Sequence, residues 1–129
     1  MDFYRIKKQV TELNPQTFLT TILRIEQSED SSIIFSQNAE EHFEQAISYL
    51  ASDDTISLKD VVEWQKDRFL VVAQTIDGDY IAGTVNQTFV IPVSLYKSDI
   101  ETYDLFLSEF FIAYTEGTIE STVLPKFIE

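Results

Sequence analysis

The chain has 129 residues and a mass of 14.9 kDa, the size of one ordinary domain, and its 44% hydrophobic and 13% aromatic content is enough for one packed core. Nine Lys and Arg stand against 22 Asp and Glu, for a net charge of −13. That balance excludes the cationic footprint of a nucleic-acid binder and of a surface that adheres to anionic lipid, and the lack of cysteine excludes disulfides, thiolate catalysis and sulfur-ligated zinc.

No apolar stretch follows the charges of Met1-Asp2-Phe3-Tyr4-Arg5-Ile6-Lys7-Lys8, and no run approaches the roughly 18 apolar residues of a membrane span. A cytoplasmic protein with no membrane partner is expected. Repeats, low-complexity tracts and Pro/Gly-rich linkers are missing, so residues 1–129 read as a single domain.

Phe3, Ile6, Val10 and Leu13 fall on one stripe and predict an amphipathic helix. Asn14-Pro15 ends it, because a residue before proline is pushed out of the helical region. Phe18 to Glu26, rich in Thr, Ile and Leu, predicts a strand. Ser28 to Ser32 is a polar turn and Ser32 to Ser36 a return strand, together a hairpin. Asn38 then stands as a helix N-cap with Glu40 and Glu41 in the first turn. Phe43, Ala46, Ile47 and Leu50 form that helix's apolar stripe, and Ser52-Asp53-Asp54 ends it. Ile56 to Trp64 reads either as a strand or as a short helix capped by Ser57, with the helix or a turn preferred.

The clearest β signal follows. Arg68 to Thr75 is a dense apolar run, and Asp77-Gly78 predicts a type I′ hairpin turn. Asp79 to Thr84 returns, Val85-Asn86-Gln87 turns again, and Thr88 to Val93 completes a three-stranded antiparallel meander. Ser98-Asp99-Ile100-Glu101 matches a capping box. It predicts a long helix with Ile100, Tyr103, Leu107, Phe110, Phe111 and Tyr114 at helical spacing and Gly117 as its C-terminal cap. Thr118 to Leu124 reads as a last short strand ended by Pro125. The expected class is therefore α+β: a hairpin and an antiparallel meander packed against about three helices.

His42 is the single histidine; it falls off the Phe43/Ile47/Leu50 stripe and reads as a solvent-facing side chain. One histidine without cysteine cannot supply an ordinary zinc site, and Gly78, Gly83 and Gly117 are too far apart to cradle a phosphate. Calcium loops counted from Asp53 or Asp77 place Trp64 or Thr88 where a glutamate is required. Asp77 and Asp79 read as turn chemistry. Phe106, Phe110, Phe111 and Tyr114 read as core, and Trp64 either as a core plug or as a partner anchor. The acids are unevenly spread along the chain: Glu26 to Glu63 holds ten acids against one base, Lys59, and Asp99 to Glu129 seven against Lys126. An acidic face of this kind accelerates encounter with a basic protein.

Arg68-Phe69-Leu70-Val71-Val72-Ala73-Gln74-Thr75-Ile76-Asp77-Gly78-Asp79-Tyr80-Ile81-Ala82-Gly83, Thr88-Phe89-Val90-Ile91-Pro92-Val93 and Leu105-Phe106-Leu107-Ser108-Glu109-Phe110-Phe111 together resemble the SUKH superfamily, the fungal cell-wall-synthesis regulators and their bacterial relatives. The likeness covers about residues 60 to 117 and consists of hydrophobic strands around a Gly/Asp turn followed by a Phe-x-x-Phe helix. The N-terminal half lacks the family's Leu-Pro-x-x-(Tyr/Phe) stretch and Gly-rich segment, which would make the chain a divergent member. The resemblance implies a compact α+β domain without enzymatic activity or cofactor. It also implies a bacterial immunity protein that neutralises a toxin, commonly a nuclease; an adaptor or regulator with no toxin partner is the alternative. On this reading the partner is a basic toxin domain, and the residues that meet it are Glu40, Glu41, Glu44, Asp53, Asp54 and Trp64.

Overall fold

The computed structural model describes residues 3–10, 14–24, 33–49 and 54–124. Five α-helices and five strands follow one another as α1 Phe3–Gln9, α2 Pro15–Leu23, β1 Ile33–Phe35, α3 Ala39–Tyr49, α4 Leu58–Trp64, β2 Leu70–Thr75, β3 Tyr80–Gly83, β4 Thr88–Ile91, β5 Glu101–Tyr103 and α5 Leu107–Thr115. The strands form one sheet in the order β1-β2-β3-β4-β5, every neighbouring pair antiparallel. The class is α+β. Among the described residues no helix is long and apolar enough to cross a membrane.

Alternation along the meander explains why the helices lie on both sides. Val72, Ile81 and Val90 belong to one apolar cluster, with α1, α2 and α5. Val71, Tyr80, Ala82 and Ile91 belong to a second, with α3 and α4. Successive side chains point to opposite faces, and here both faces are apolar, so each needs a helical cover. A register shift between Val71 and Ala73 puts Val72 and Ala73 in the same cluster, the local signature of a β-bulge.

Phe111 is the centre of the first cluster. Its ring stacks on Phe3 at 4.9 Å and on Phe18 at 5.9 Å, and meets Phe35 edge-on at 5.2 Å. Three helices and β1 thus converge on one side chain, an arrangement of offset and edge contacts favoured by ring quadrupoles.

Residues 15–23 are helix, not strand, and the expected hairpin with Ser32 to Ser36 does not form; β1 pairs with β2 instead. The turn placed at Ser28 to Ser32 lies outside the described residues. Asn14-Pro15 is a helix start, not the expected helix stop. The Asn14 side chain accepts the Thr17 N–H at 2.8 Å, and Pro15 occupies the first helical position, where its missing N–H costs nothing. The threonines that suggested a strand bond back to the helix itself. Thr20 and Thr21 hydroxyls donate to the carbonyls of Gln16 and Thr17 at 2.9 and 2.8 Å. Burial of Phe18, Leu19 and Ile22 on one stripe then outweighs the threonines' strand preference.

The Ser57 cap forms as expected, with Ser57 and Asp60 in a reciprocal capping box that opens α4. The second capping box does not form. Lys97–Asp99 is one short 3-10 turn, Glu101–Tyr103 is strand β5, and the helix begins only at Leu107, so Ile100 and Tyr103 are not helical. Its C-terminus ends as expected. Gly117 has φ +78°, its N–H reaches the Tyr114 carbonyl, and the Thr118 N–H reaches that of Ala113, the Schellman pattern. The Asp77-Gly78 hairpin is not type I′, since Gly78 alone has positive φ. Gly78 N–H closes on the Thr75 carbonyl and Thr75 N–H on that of Asp79, a three-residue loop with its glycine in the bulge position.

Thr118 to Leu124 is irregular, not a strand. It is held by Glu101, whose carboxylate accepts from the Ser121 hydroxyl, the Thr122 N–H, the Thr122 hydroxyl and the Tyr103 hydroxyl. Leu124 is thereby buried in the first cluster. Burial pushes the Glu101 pKa up, but the four donors outweigh it, and the carboxyl sits below its ordinary value. Such a group stabilises the fold above its unfolded pKa, and that contribution is lost as pH falls through the folded pKa. Glu101→Gln should therefore narrow the stability gap to the parent as urea titrations move from about pH 6 towards pH 3. It should also speed amide exchange at Thr122, Val123 and Leu124; unchanged exchange would refute the anchoring role.

Gly83 lies where β3 meets α5. A Cβ there would stand 2.6 Å from Leu107 Cγ and Cδ1, both fully buried. Gly83→Ala is expected to destabilise the fold by about 1–3 kcal/mol through overpacking, read as a lower denaturation midpoint.

Candidate protein-docking face

α3 and α4 cover one side of the sheet, and most of the acids singled out from sequence lie there. Ala39, Phe43 and Ile47 turn into the second cluster. Asn38 precedes the helix, its carbonyl accepting the first intrahelical bond from His42 N–H, and Ser36 Oγ takes the Asn38 N–H. Glu41 is exposed and Glu44 half-buried on the outer side. Neither has an ion-pair partner among the described residues.

Glu40 is used differently. Its Oε2 accepts the Val71 N–H at 2.5 Å. The β1–β2 register runs from Thr75 to Ala73, and Ser36 N–H adds a bond to the Val72 carbonyl. At Val71 the carboxylate stands where a further strand partner would be, and so fixes α3 to the sheet beside the bulge. Burial raises the Glu40 pKa most, the Val71 N–H works against that, and the Glu44 charge adds to the rise, for a net increase.

Asp54 is exposed, and its carbonyl accepts the Lys97 N–H. Asp53 lies outside the described residues. Trp64 is half-buried, 5.2 Å from Phe69 and stacked on Phe89 at 6.3 Å. It closes the far end of the second cluster and keeps one part of its ring at the surface. The face therefore brings Glu40, Glu41 and Glu44 together on α3, while Trp64 stands on the next helix. Sequence reasoning missed Leu58 and Val62, 52% and 63% exposed. Their i, i+4 spacing around buried Val61 was the available signal.

Lys7 of α1 pairs with Glu109 of α5 at 3.5 Å, and Tyr4 donates to Glu116. Asp79 is buried in turn chemistry, accepting the Val93 N–H at 2.8 Å. Asp77 is exposed.

A depression of about 220 Å³ beside α3 is bounded by Ile34, Ala39, His42 and Gln74. His42 is exposed there and, among the described residues, makes no side-chain bond to a hydroxyl or carboxylate. A second, of about 350 Å³, is crossed by the Lys7–Glu109 pair. No group of three or more His, Asp or Glu among the described residues is placed to hold a metal ion.

Two substitutions separate the charge of Glu40 from its bond. Glu40→Ala leaves the buried Val71 N–H without an acceptor and should cost about 1–3 kcal/mol. Glu40→Gln keeps an acceptor and removes a carboxylate whose ionisation is opposed by burial, so its denaturation midpoint at pH 7 should equal or exceed the parent's. A folded pKa above the unfolded one also means that the parent, relative to Glu40→Gln, gains stability as pH falls. Equal losses in both variants would refute the tether.

No family model, curated protein or solved structure matches the chain.

Proposed function

We propose that this chain is a non-enzymatic protein-binding domain that docks a basic partner on its α3–α4 face. The observation that carries this reading is the pair of α3 carboxylates, Glu41 and Glu44, that no base answers among the described residues. Lys66 and Lys97 are occupied by Glu63 and Asp60 of α4 itself. An uncompensated anionic surface beside exposed apolar side chains steers and then holds a cationic protein. Asp54 is exposed beside Lys97, and Trp64 is half-buried.

Taken with the SUKH-type resemblance, the finer proposal is an immunity protein that works by occluding a basic toxin domain, such as a nuclease, in the cytoplasm. Co-expression with a basic toxin domain encoded beside it should restore growth. Replacing Glu41 and Glu44 together by Lys should slow association by about 10-fold or more at low ionic strength, with the difference collapsing towards 1 M salt. Association that is insensitive to salt and to both substitutions would overturn the electrostatic reading. Binding without protection would favour the adaptor alternative.

A further inference from the structure

The depression of about 350 Å³ lies where the start of α5 meets α1 and the turn between β3 and β4, and it holds polar groups that protein docking leaves unused. Leu107, Ser108 and Glu109 open α5, so their N–H groups have no intrahelical acceptor. Phe106 at the cap position has no polar side chain to offer them, and they meet no other acceptor among the described residues. Such a helix end carries positive potential. Ser108 is 1% exposed, yet its hydroxyl has no hydrogen-bond partner among the described residues. No sealed side-chain polar atom there lacks a partner, so the Ser108 hydroxyl opens onto the depression that this residue lines.

The charges around this hydroxyl are of both signs. Lys7 Nζ contacts Glu109 at 3.5 Å, which engages one of its three donors. Asp104 accepts the Gln87 amide on Oδ1 at 2.9 Å and keeps Oδ2 free among the described residues. A simple anion meets two carboxylates here, and a simple amine meets Lys7 and the helix end. A molecule that carries both charges satisfies each. We infer that this depression binds a free α-amino acid with an apolar side chain. The α5 N–H groups, the Ser108 hydroxyl and Lys7 receive its carboxylate, Asp104 receives its ammonium, and Val85 and Phe106 wall its side chain. About 350 Å³ is near the lower end of ordinary ligand pockets, which suits a molecule of this size. A peptide end presents one of the two charges beside its side chain and fills half of the site. The inference does not rest on docking at α3 and α4.

The test titrates the full chain with leucine to about 10 mM and follows amide chemical shifts. Four further probes divide its features: 4-methylpentanoate lacks the ammonium, isopentylamine lacks the carboxylate, inorganic phosphate is a plain anion, and glycyl-leucine stands for a peptide end. Leucine should shift residues 86, 104 and 107 to 109 and bind about 10-fold or more tighter than each of the four. Ser108→Ala and Asp104→Asn should each weaken leucine about 5-fold or more. Asp104 is exposed and its replacement still accepts from Gln87, so an unchanged denaturation midpoint in Asp104→Asn keeps the test valid even where Ser108→Ala perturbs the fold. If leucine leaves these residues unshifted, if any of the four probes binds as tightly, or if Asp104→Asn has no effect, the amino-acid site is overturned. None of those results touches the docking reading, because Glu41 and Glu44 are not part of this depression.

Discussion

β3 has no residue facing water: Tyr80, Ile81, Ala82 and Gly83 are all buried, alternately on one side of the sheet and the other. An antiparallel sheet ordinarily leaves one face solvated. Here both faces are apolar through β2, β3 and β4, and exposing either would forfeit roughly 1.5–3 kcal/mol for each large side chain. The five α-helices follow from that constraint, three on the Phe111 side and two on the Phe43 side. Gly83 belongs to the same requirement, since Leu107 of α5 approaches the strand too closely for any Cβ.

Two carboxylates tie irregular parts of the molecule to this framework. Glu40 replaces a missing strand neighbour at Val71. Glu101 gathers the segment after α5 and so seats Leu124 in the core. Their environments push their pKa values in opposite directions, because Glu40 is opposed chiefly by burial and Glu101 is served by four donors. The acids of this chain are therefore of two kinds, those that hold the fold and those, such as Glu41, that face outward without a partner among the described residues. A net charge of −13 does not distinguish them.

The legible parts of the sequence were those in which local chemistry and tertiary demand agree. The meander was readable because the dense apolar run Arg68 to Thr75 and the strands Asp79 to Thr84 and Thr88 to Val93 are separated by turn residues; α3, the Ser57 cap and the Gly117 stop were readable because helix ends need particular side chains at particular places. The errors have a common cause. Asn14-Pro15 serves equally to stop one helix and to start another, and Ser98-Asp99-Ile100-Glu101 satisfies a capping pattern whose glutamate is claimed instead by Ser121 and Thr122, some 20 residues away. Thr17 to Ile22 has the composition of a strand and the burial pattern of a helix, and packing on Phe111 decides between them. The candidate face divides in the same way: the acids of α3 were visible, while the exposure of Leu58 and Val62 was not.

The sequence by itself determined the apolar runs of the central strands, the positions of most turns and helix caps, and the excess of acid along Glu26 to Glu63, because these depend on neighbours within a few residues. Only the tertiary structure decided that residues 15–23 are helical, that β1 pairs with β2, that Glu40 is bound inward while Glu41 remains exposed, and that Leu58 and Val62 of α4 are exposed. Each of those outcomes depends on which distant surfaces meet, and side-chain burial across the sheet outweighs the few tenths of a kcal/mol by which local preferences differ.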